Sequence, residues 1–198
     1  MYLYLGNSSV RFCEANPQWA NIFSNLFFFI SAYCIKNINC KGLREIYQGL
    51  ILVGIGSIAL HFLDDRFGQL LDELYMVLLM DTIISKLTIN VLFNKLYSSF
   101  NYAFFFLYVH YKMYNIFLTI FTIQVAIVFF LLTKKTYRKF WLLDEYLKIV
   151  FLMLIGIASW IIEQNYCLLH PKIYLLHSLW HFTSAFSVYY LSRFIYRS

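Results

Sequence analysis

The chain has 198 residues, of which 61% are hydrophobic, 21% aromatic and only 13% charged, and its formal net charge is +6. A soluble domain is usually about half apolar and a quarter charged, so this composition excludes an ordinary soluble enzyme and also a disordered chain. The modest positive charge is typical of loop lysines and arginines in a membrane protein, and it does not indicate nucleic-acid binding. The expected class is an all-α polytopic membrane protein.

Hydropathy predicts seven membrane-spanning helices in a single domain that covers residues 1–198. No basic n-region precedes the first apolar run, so we expect no cleavable signal peptide and a first span that stays in the mature protein. The predicted spans, in chain order, are Trp19–Ile35, Tyr47–Leu63, Gln69–Phe93, Ser99–Tyr111, Tyr114–Thr133, Tyr146–Asn165 and Ile173–Ile195.

The distribution of basic residues predicts the orientation of these spans. Ten lysines and arginines lie in the first, third and fifth connections and the C-terminal tail, whereas four lie on the opposite side. Because basic residues concentrate in cytoplasmic loops, the C-terminus is expected in the cytoplasm and the N-terminus outside, in the periplasm or a lumen.

Three short motifs place polar side chains at membrane depth, where ionisable groups are costly and are functional candidates by default. They are GIGSIALHF with Ser57 and His61, QLLDELYM with Asp72 and Glu73, and LLHSLWHF with His177 and His181. Ser57 and His61 are four residues apart, as are His177 and His181, so the two residues of each pair share one helix face. The predicted topology brings all three histidines and Asp72 to the same extracytoplasmic leaflet. Three imidazoles with an open fourth position form a catalytic zinc site, in which the metal acidifies water and polarises a carbonyl.

Each of these residues also has a purely structural interpretation. A lone histidine in an apolar helix is most often a satisfied core residue. Ser57 alone is typical of close helix packing beside Gly54 and Gly56, and Asp72 alone of a first-turn acid. The coincidence of four such groups in one leaflet favours the metal site.

The motifs, in this order, resemble those of the alkaline ceramidase family. That family belongs to a superfamily of seven-transmembrane zinc hydrolases that also contains the adiponectin/progestin-type receptors. The segments that carry the resemblance are FCEAN at Phe12–Asn16, SN at Ser24–Asn25, GIGSIALH at Gly54–His61, LLDEL at Leu70–Leu74 and the late H-x-x-x-H.

The resemblance implies an intramembrane zinc amidase that cleaves ceramide to a sphingoid base and a fatty acid. His61, His177 and His181 would hold Zn²⁺, Asp72 would orient and deprotonate its water, and Ser57 would stabilise the oxyanion or position the water. The implied partner is a ceramide-like membrane lipid. No protein partner is indicated.

The chain departs from the family pattern where other members bind calcium near the N-terminus. Glu14 and Asn16 match that pattern, but Arg11 and Gln18 stand where carboxylates are expected. Calcium prefers several oxygen ligands, usually including carboxylates. We therefore expect no bound Ca²⁺, and we expect Arg11 to replace the ion by pairing with Glu14.

The family pattern also implies a disulfide between Cys13 and Cys167, both of which fall outside the cytoplasm in the predicted topology. The alternative is two free buried thiols. Cys34 and Cys40 fall at the cytoplasmic end of the first span.

Two other functions are compatible with the same motifs. One is a zinc hydrolase of this fold that acts on another acyl lipid, such as a glycerolipid or an N-acyl amine. The other is a receptor-like lipid-sensing protein with a structural zinc. Asp72 and Ser57 argue against the latter, because a structural site usually closes its fourth position with a protein ligand.

Overall fold

The computed structural model describes residues 8, 10, 12–14, 18–38, 40–111, 113–167 and 171–198, the last range without the side chains of residues 171 and 172. The regular elements of these ranges are helical, in agreement with the all-α prediction. The α-helices are α1 (Trp19–Ser24), α2 (Leu26–Lys36), α3 (Arg44–Leu63), α4 (Arg66–Leu87), α5 (Val91–Tyr111), α6 (Tyr114–Arg138), α7 (Leu143–Tyr166) and α8 (Leu175–Arg197). Three short 3₁₀ helices, at Lys41–Leu43, Phe140–Leu142 and Pro171–Tyr174, precede α3, α7 and α8.

The predicted first span is divided into two helices, α1 and α2, at Asn25. Its side-chain amide donates to the carbonyl of Asn21 at 2.8 Å, and its own carbonyl accepts from the backbone N–H of Phe28 at 3.0 Å. The polar join lies fully buried. A buried hydrogen bond of Asn25 therefore links the two helices.

The prediction for the third span was wrong at its end. The helix stops at Leu87 and the next one begins at Val91, so Gln69–Phe93 is too long and the predicted fourth span begins too late. Asn90 explains the break, since its side-chain oxygen accepts from the backbone N–H of Phe93 at 3.0 Å. Asparagine in this position satisfies a free amide at a helix start.

Three helical segments of the described residues are long and apolar enough to cross a membrane. They are Lys41–Leu63, Tyr114–Arg138 and Phe140–Tyr166. Large apolar side chains such as Phe106, Phe130 and Phe151 are about two-thirds exposed on the helix surfaces. Exposed aromatic rings over long helices indicate a surface that faces lipid, so the fold is that of a membrane protein.

A two-residue turn joins α3 and α4 into a tight hairpin. Asp64 adopts a left-handed conformation with φ of 48°, and Asp65 caps α4 by accepting from the backbone N–H of Gly68 at 2.8 Å. Glycine at position 56 lets the helices approach, because a Cβ there would lie 2.9 Å from the Cα of Asp72. The hairpin thereby brings the first two polar motifs side by side.

The apolar core packs the helices around one another below these polar motifs. Its fully buried side chains come from α2, α3, α4, α6 and α8, and they include Ile35, Ile46, Leu50, Ile83, Leu132 and Phe194. In close-packed cores of this kind the helix positions are fixed to within about a methyl group. The core therefore holds α3, α4 and α8 in a defined register.

Buried polar contacts add to this packing on α4. Asp81 accepts from the side-chain amides of Asn101 at 2.6 Å and Gln124 at 3.2 Å, which joins α4 to α5 and α6. Lys86 forms an ion pair with Glu45 of α3 near the other end of α4. These polar residues have structural partners away from the metal-ligand motifs.

A disulfide joins Cys13 to Cys167, whose Cα atoms are 5.1 Å apart across 154 residues of sequence. It ties the segment before α1 to the end of α7. The two remaining cysteines, Cys34 and Cys40, are free.

We predict that replacing both bridged cysteines by serine lowers the stability of the purified protein by about 2–4 kcal/mol, because the cross-link restricts a long loop of the unfolded chain. Thermal unfolding in detergent measures the effect. Replacing Cys34 and Cys40 by serine is the matched control and should leave the melting temperature within about a degree of wild type. Equal melting temperatures for the two double variants would contradict the prediction, as would mass mapping that finds Cys13 and Cys167 reduced.

Candidate metal centre

Three histidines from two helices meet at one end of the bundle. His61 comes from the last turn of α3, and His177 and His181 come from the first two turns of α8. All three are buried, and their ligand atoms lie within 4.8 Å of one another. The i, i+4 spacing on α8, and the packing of α1 and α2 against both α3 and α8, thus assemble the trio that the sequence predicted.

Each histidine has a hydrogen-bond partner for its Nδ1 atom. His61 Nδ1 lies 2.7 Å from the side-chain oxygen of Gln18, His177 Nδ1 lies 2.9 Å from a carboxylate oxygen of Glu163, and His181 Nδ1 lies 2.7 Å from the hydroxyl of Ser24. Each of these three oxygens can accept a hydrogen bond from the ring N–H.

The acceptor chemistry assigns the tautomers. The Gln18 carbonyl oxygen and the Glu163 carboxylate can only accept, so the facing Nδ1 atoms of His61 and His177 carry the hydrogen. Ser24 donates its own hydrogen to the carbonyl of Asn21 at 2.9 Å and so accepts from His181. All three Nε2 atoms are therefore left with a free lone pair, which is the form that binds a metal.

The spacing of these lone pairs fits zinc. His61 Nε2 and His181 Nε2 are 3.4 Å apart. Two nitrogens bound to a tetrahedral zinc at its usual Zn–N distance are about 3.3 Å apart. Two buried lone pairs at this distance repel each other unless a positive charge lies between them. The residues thus fit a cation held through three Nε2 atoms.

Ser57 and Asp72 border the same space. The Ser57 hydroxyl lies 3.4 Å from His181 Nε2, one turn before His61 on α3. Asp72 follows on α4, where the backbone passes against Gly56. Ser57, Asp72, His177 and His181 all line a cavity of about 350 Å³. The structure therefore places the predicted serine beside His181 and the predicted aspartate in the wall of the same cavity.

The rest of the cavity wall is apolar. It runs from the histidines between α3, α4, α6, α7 and α8, and it includes Met76, Leu79, Phe117, Phe121, Met153 and Ile157. A largely apolar cavity with a few convergent polar groups at one end is the usual form of a small-molecule site. This shape suits a molecule with one polar group and a hydrocarbon chain.

The segment before α1 covers the histidines. The Phe12 ring contacts His61 and His177 edge-on, with centroids 4.6 Å and 4.8 Å away. The neighbouring Cys13 donates its backbone N–H to Glu163 at 3.2 Å. The Cys13–Cys167 disulfide therefore holds two features of the site in place. One is Phe12, which covers the histidines, and the other is the contact of Cys13 with Glu163, the hydrogen-bond partner of His177.

The residues expected at the degraded calcium site have other contacts. Glu14 accepts from the backbone N–H groups of Ala20 at 2.7 Å and Asn21 at 2.9 Å, and so caps α1. Gln18 is bound to His61, as described above. Arg11 and Asn16 lie outside the described residues, so the expected pairing of Arg11 with Glu14 remains a prediction.

A model of the ceramidase family matches residues 6–196, nearly the whole chain. The chain belongs to the ceramidase family. Membership implies a hydrolase that acts on the amide bond of a ceramide-like lipid. No curated protein matches the chain.

The sequence motifs of the ceramidase family led to the three histidines but not to their supporting residues. The sequence pointed to Ser24 only as part of the SN motif and to Gln18 only as a calcium position, and it assigned no role to Glu163. The sequence does carry a signal for Glu163. It is an acid inside a predicted span, and such residues usually have a buried partner.

We predict that Glu163→Gln weakens zinc binding by about 10- to 100-fold, since the partner that orients His177 becomes neutral. Competition with a zinc chelator on the purified protein measures the affinity. Glu45→Gln removes the same charge from the opposite end of α3 and should leave the affinity unchanged. A zinc affinity that is equal in the two variants would contradict the assigned support of His177.

We also predict that stability and turnover do not require calcium. Thermal unfolding and activity should agree between calcium-depleted and millimolar-calcium buffers when zinc is held constant. Glu14→Ala should lower stability by about 1 kcal/mol in both buffers, because it removes a helix cap. A large stabilisation by calcium that disappears in Glu14→Ala would show instead that a calcium site survives.

Proposed function

We propose that this member of the ceramidase family is an intramembrane zinc amidase that hydrolyses ceramide to a sphingoid base and a fatty acid. The observation that carries the proposal is the convergence of three histidine Nε2 lone pairs, each supported through Nδ1, at the polar end of an apolar cavity. His61, His177 and His181 hold the metal. Held in this way, zinc polarises a carbonyl and acidifies water.

Asp72 acts as the general base and then as the general acid. Its carboxylate orients a water molecule beside the scissile carbonyl and accepts a proton as the water oxygen bonds to the acyl carbon. The same proton passes to the amide nitrogen as the C–N bond breaks. The products are a fatty acid and a sphingoid amine, and Asp72 returns to its starting state.

Ser57 assists at the carbonyl oxygen. Its hydroxyl lies next to His181 and can donate a hydrogen bond to the oxygen as negative charge develops there. A donor held in a dry cavity is already oriented, so it pays little reorganisation cost during the reaction. Phe12 and the apolar wall keep bulk water from this group.

The membrane arrangement that we propose is one domain of seven spans over residues 1–198, with the first formed by α1 and α2 and the others by α3 to α8. The surplus of basic residues at the end opposite the histidines supports a cytoplasmic C-terminus. The active site then lies in the extracytoplasmic leaflet. A lipid substrate can enter such a site from the bilayer.

We predict a clear separation between metal binding and catalysis among the site residues. Asp72→Asn should retain stoichiometric zinc and lose most turnover, because it keeps the shape but not the base. Ser57→Ala should retain zinc and slow turnover by roughly 10²- to 10³-fold. His181→Ala should lose both zinc and activity. Metal analysis and hydrolysis of fluorescent ceramide, measured on the same preparations, test this.

The wild-type assay should include a diacylglycerol and an N-acyl amine alongside ceramide. Preferred hydrolysis of either would replace ceramide as the substrate while leaving the metal chemistry in place. Full activity in Asp72→Asn, or a wild-type protein that is active without zinc, would contradict the proposed mechanism.

A further inference from the structure

Glu73 lies in the wall of the same cavity, directly after Asp72 on α4. Only 3% of the residue is exposed. Successive helix residues point about 100° apart, so the two carboxyl groups leave α4 in different directions. The proposed mechanism uses Asp72 and leaves Glu73 without a role.

One carboxylate oxygen of Glu73 is fixed and the other is free to accept. The Gln69 side-chain amide donates to Oε1 at 2.7 Å, whereas Oε2 has no hydrogen-bond partner among the described residues. A buried acceptor without a partner costs about 1–3 kcal/mol, and more when it is charged. A donor on a molecule that enters the cavity, whose wall Glu73 forms part of, would satisfy this buried oxygen.

The surroundings hold this carboxylate in place. Tyr108 and Arg66 lie beside Glu73, and the Arg66 guanidinium sits 4.5 Å from the centre of the Tyr108 ring. The nearby positive charge offsets part of the cost of burying a carboxylate. Glu73 is thus oriented by Gln69 and partly compensated by Arg66 before any ligand enters.

We propose that Glu73 is a specificity-determining residue whose Oε2 accepts a hydrogen bond from a hydroxyl group of the sphingoid base. The inference rests on the proposed ceramide hydrolysis. In ceramide the amide nitrogen is attached to a carbon that lies between two hydroxyl-bearing carbons. A donor therefore sits within a few bonds of the reacting carbonyl, close to where Glu73 adjoins Asp72. An acyl chain offers no such donor.

The test compares ceramide with 1-deoxyceramide and 3-deoxyceramide, which lack one hydroxyl each. For the wild-type protein, kcat/KM should fall at least about tenfold for one of the two analogues, because the buried carboxylate is then left without its donor. Glu73→Met removes the acceptor with little change in shape. In this variant the preference for ceramide over that analogue should shrink to within about twofold.

Glu73→Gln keeps the hydrogen bond to Gln69, and it is the test variant to use if Glu73→Met does not fold. It should reduce the preference severalfold, because hydrogen bonds to a charged acceptor are about twice as strong as neutral ones. Glu45→Gln, at the far end of the bundle, should keep the wild-type preference. An unchanged preference in the Glu73 variants, or a wild-type protein that treats all three lipids alike, would overturn this inference alone. A wild-type protein that hydrolyses no ceramide would overturn the proposed function and this inference with it.

Discussion

Three imidazole lone pairs point at one small volume inside a bundle of apolar helices, and this convergence constrains the surrounding structure. Without a cation the arrangement is unfavourable, because His61 Nε2 and His181 Nε2 face each other at 3.4 Å with no proton between them. A divalent ion would turn the repulsion into three coordinate bonds that link α3 to α8. Metal binding and assembly of this end of the bundle are therefore expected to be coupled.

The supporting hydrogen bonds connect the site to segments far apart in the sequence. The backing residues are Gln18 and Ser24, at or near α1, and Glu163, near the end of α7. Glu163 also receives the backbone N–H of Cys13, whose disulfide fixes the N-terminal cover. Gln18, Ser24 and Glu163 thus orient the three histidines. Through its contact with Cys13, Glu163 also holds the segment that shields the site from water. The rest of the cavity wall is apolar, so it needs no such hydrogen-bond network and suits a hydrocarbon chain.

Much of the fold and of the site could be predicted from the sequence, because a membrane requires long apolar helices and makes polar residues within them conspicuous. Long apolar runs gave the helices, and the histidine pair one turn apart on α8 needed no tertiary information to be recognised. The break between α4 and α5 was predicted too late in the chain because Asn90 lies within a run that hydropathy treats as continuous. Its effect comes from a single hydrogen bond to the backbone.

The supporting residues were harder to predict because they depend on how distant segments pack. Nothing local in the sequence indicates that Gln18 reaches His61 or that Ser24 reaches His181. These contacts exist because α1 lies against α3 and α8, and Gln18 was instead assigned by analogy to a calcium site. The unpartnered oxygen of Glu73 likewise becomes visible only once α4 lines a cavity.

X-ray absorption at the zinc edge of the purified wild-type protein tests the central claim most directly. The account predicts one zinc per chain, with three imidazole nitrogens and one further light ligand at about 2.0–2.1 Å. The zinc content, and with it the absorption edge, should be lost in His181→Ala. A spectrum that contains sulfur ligands, or a fully active protein without stoichiometric zinc, would contradict it.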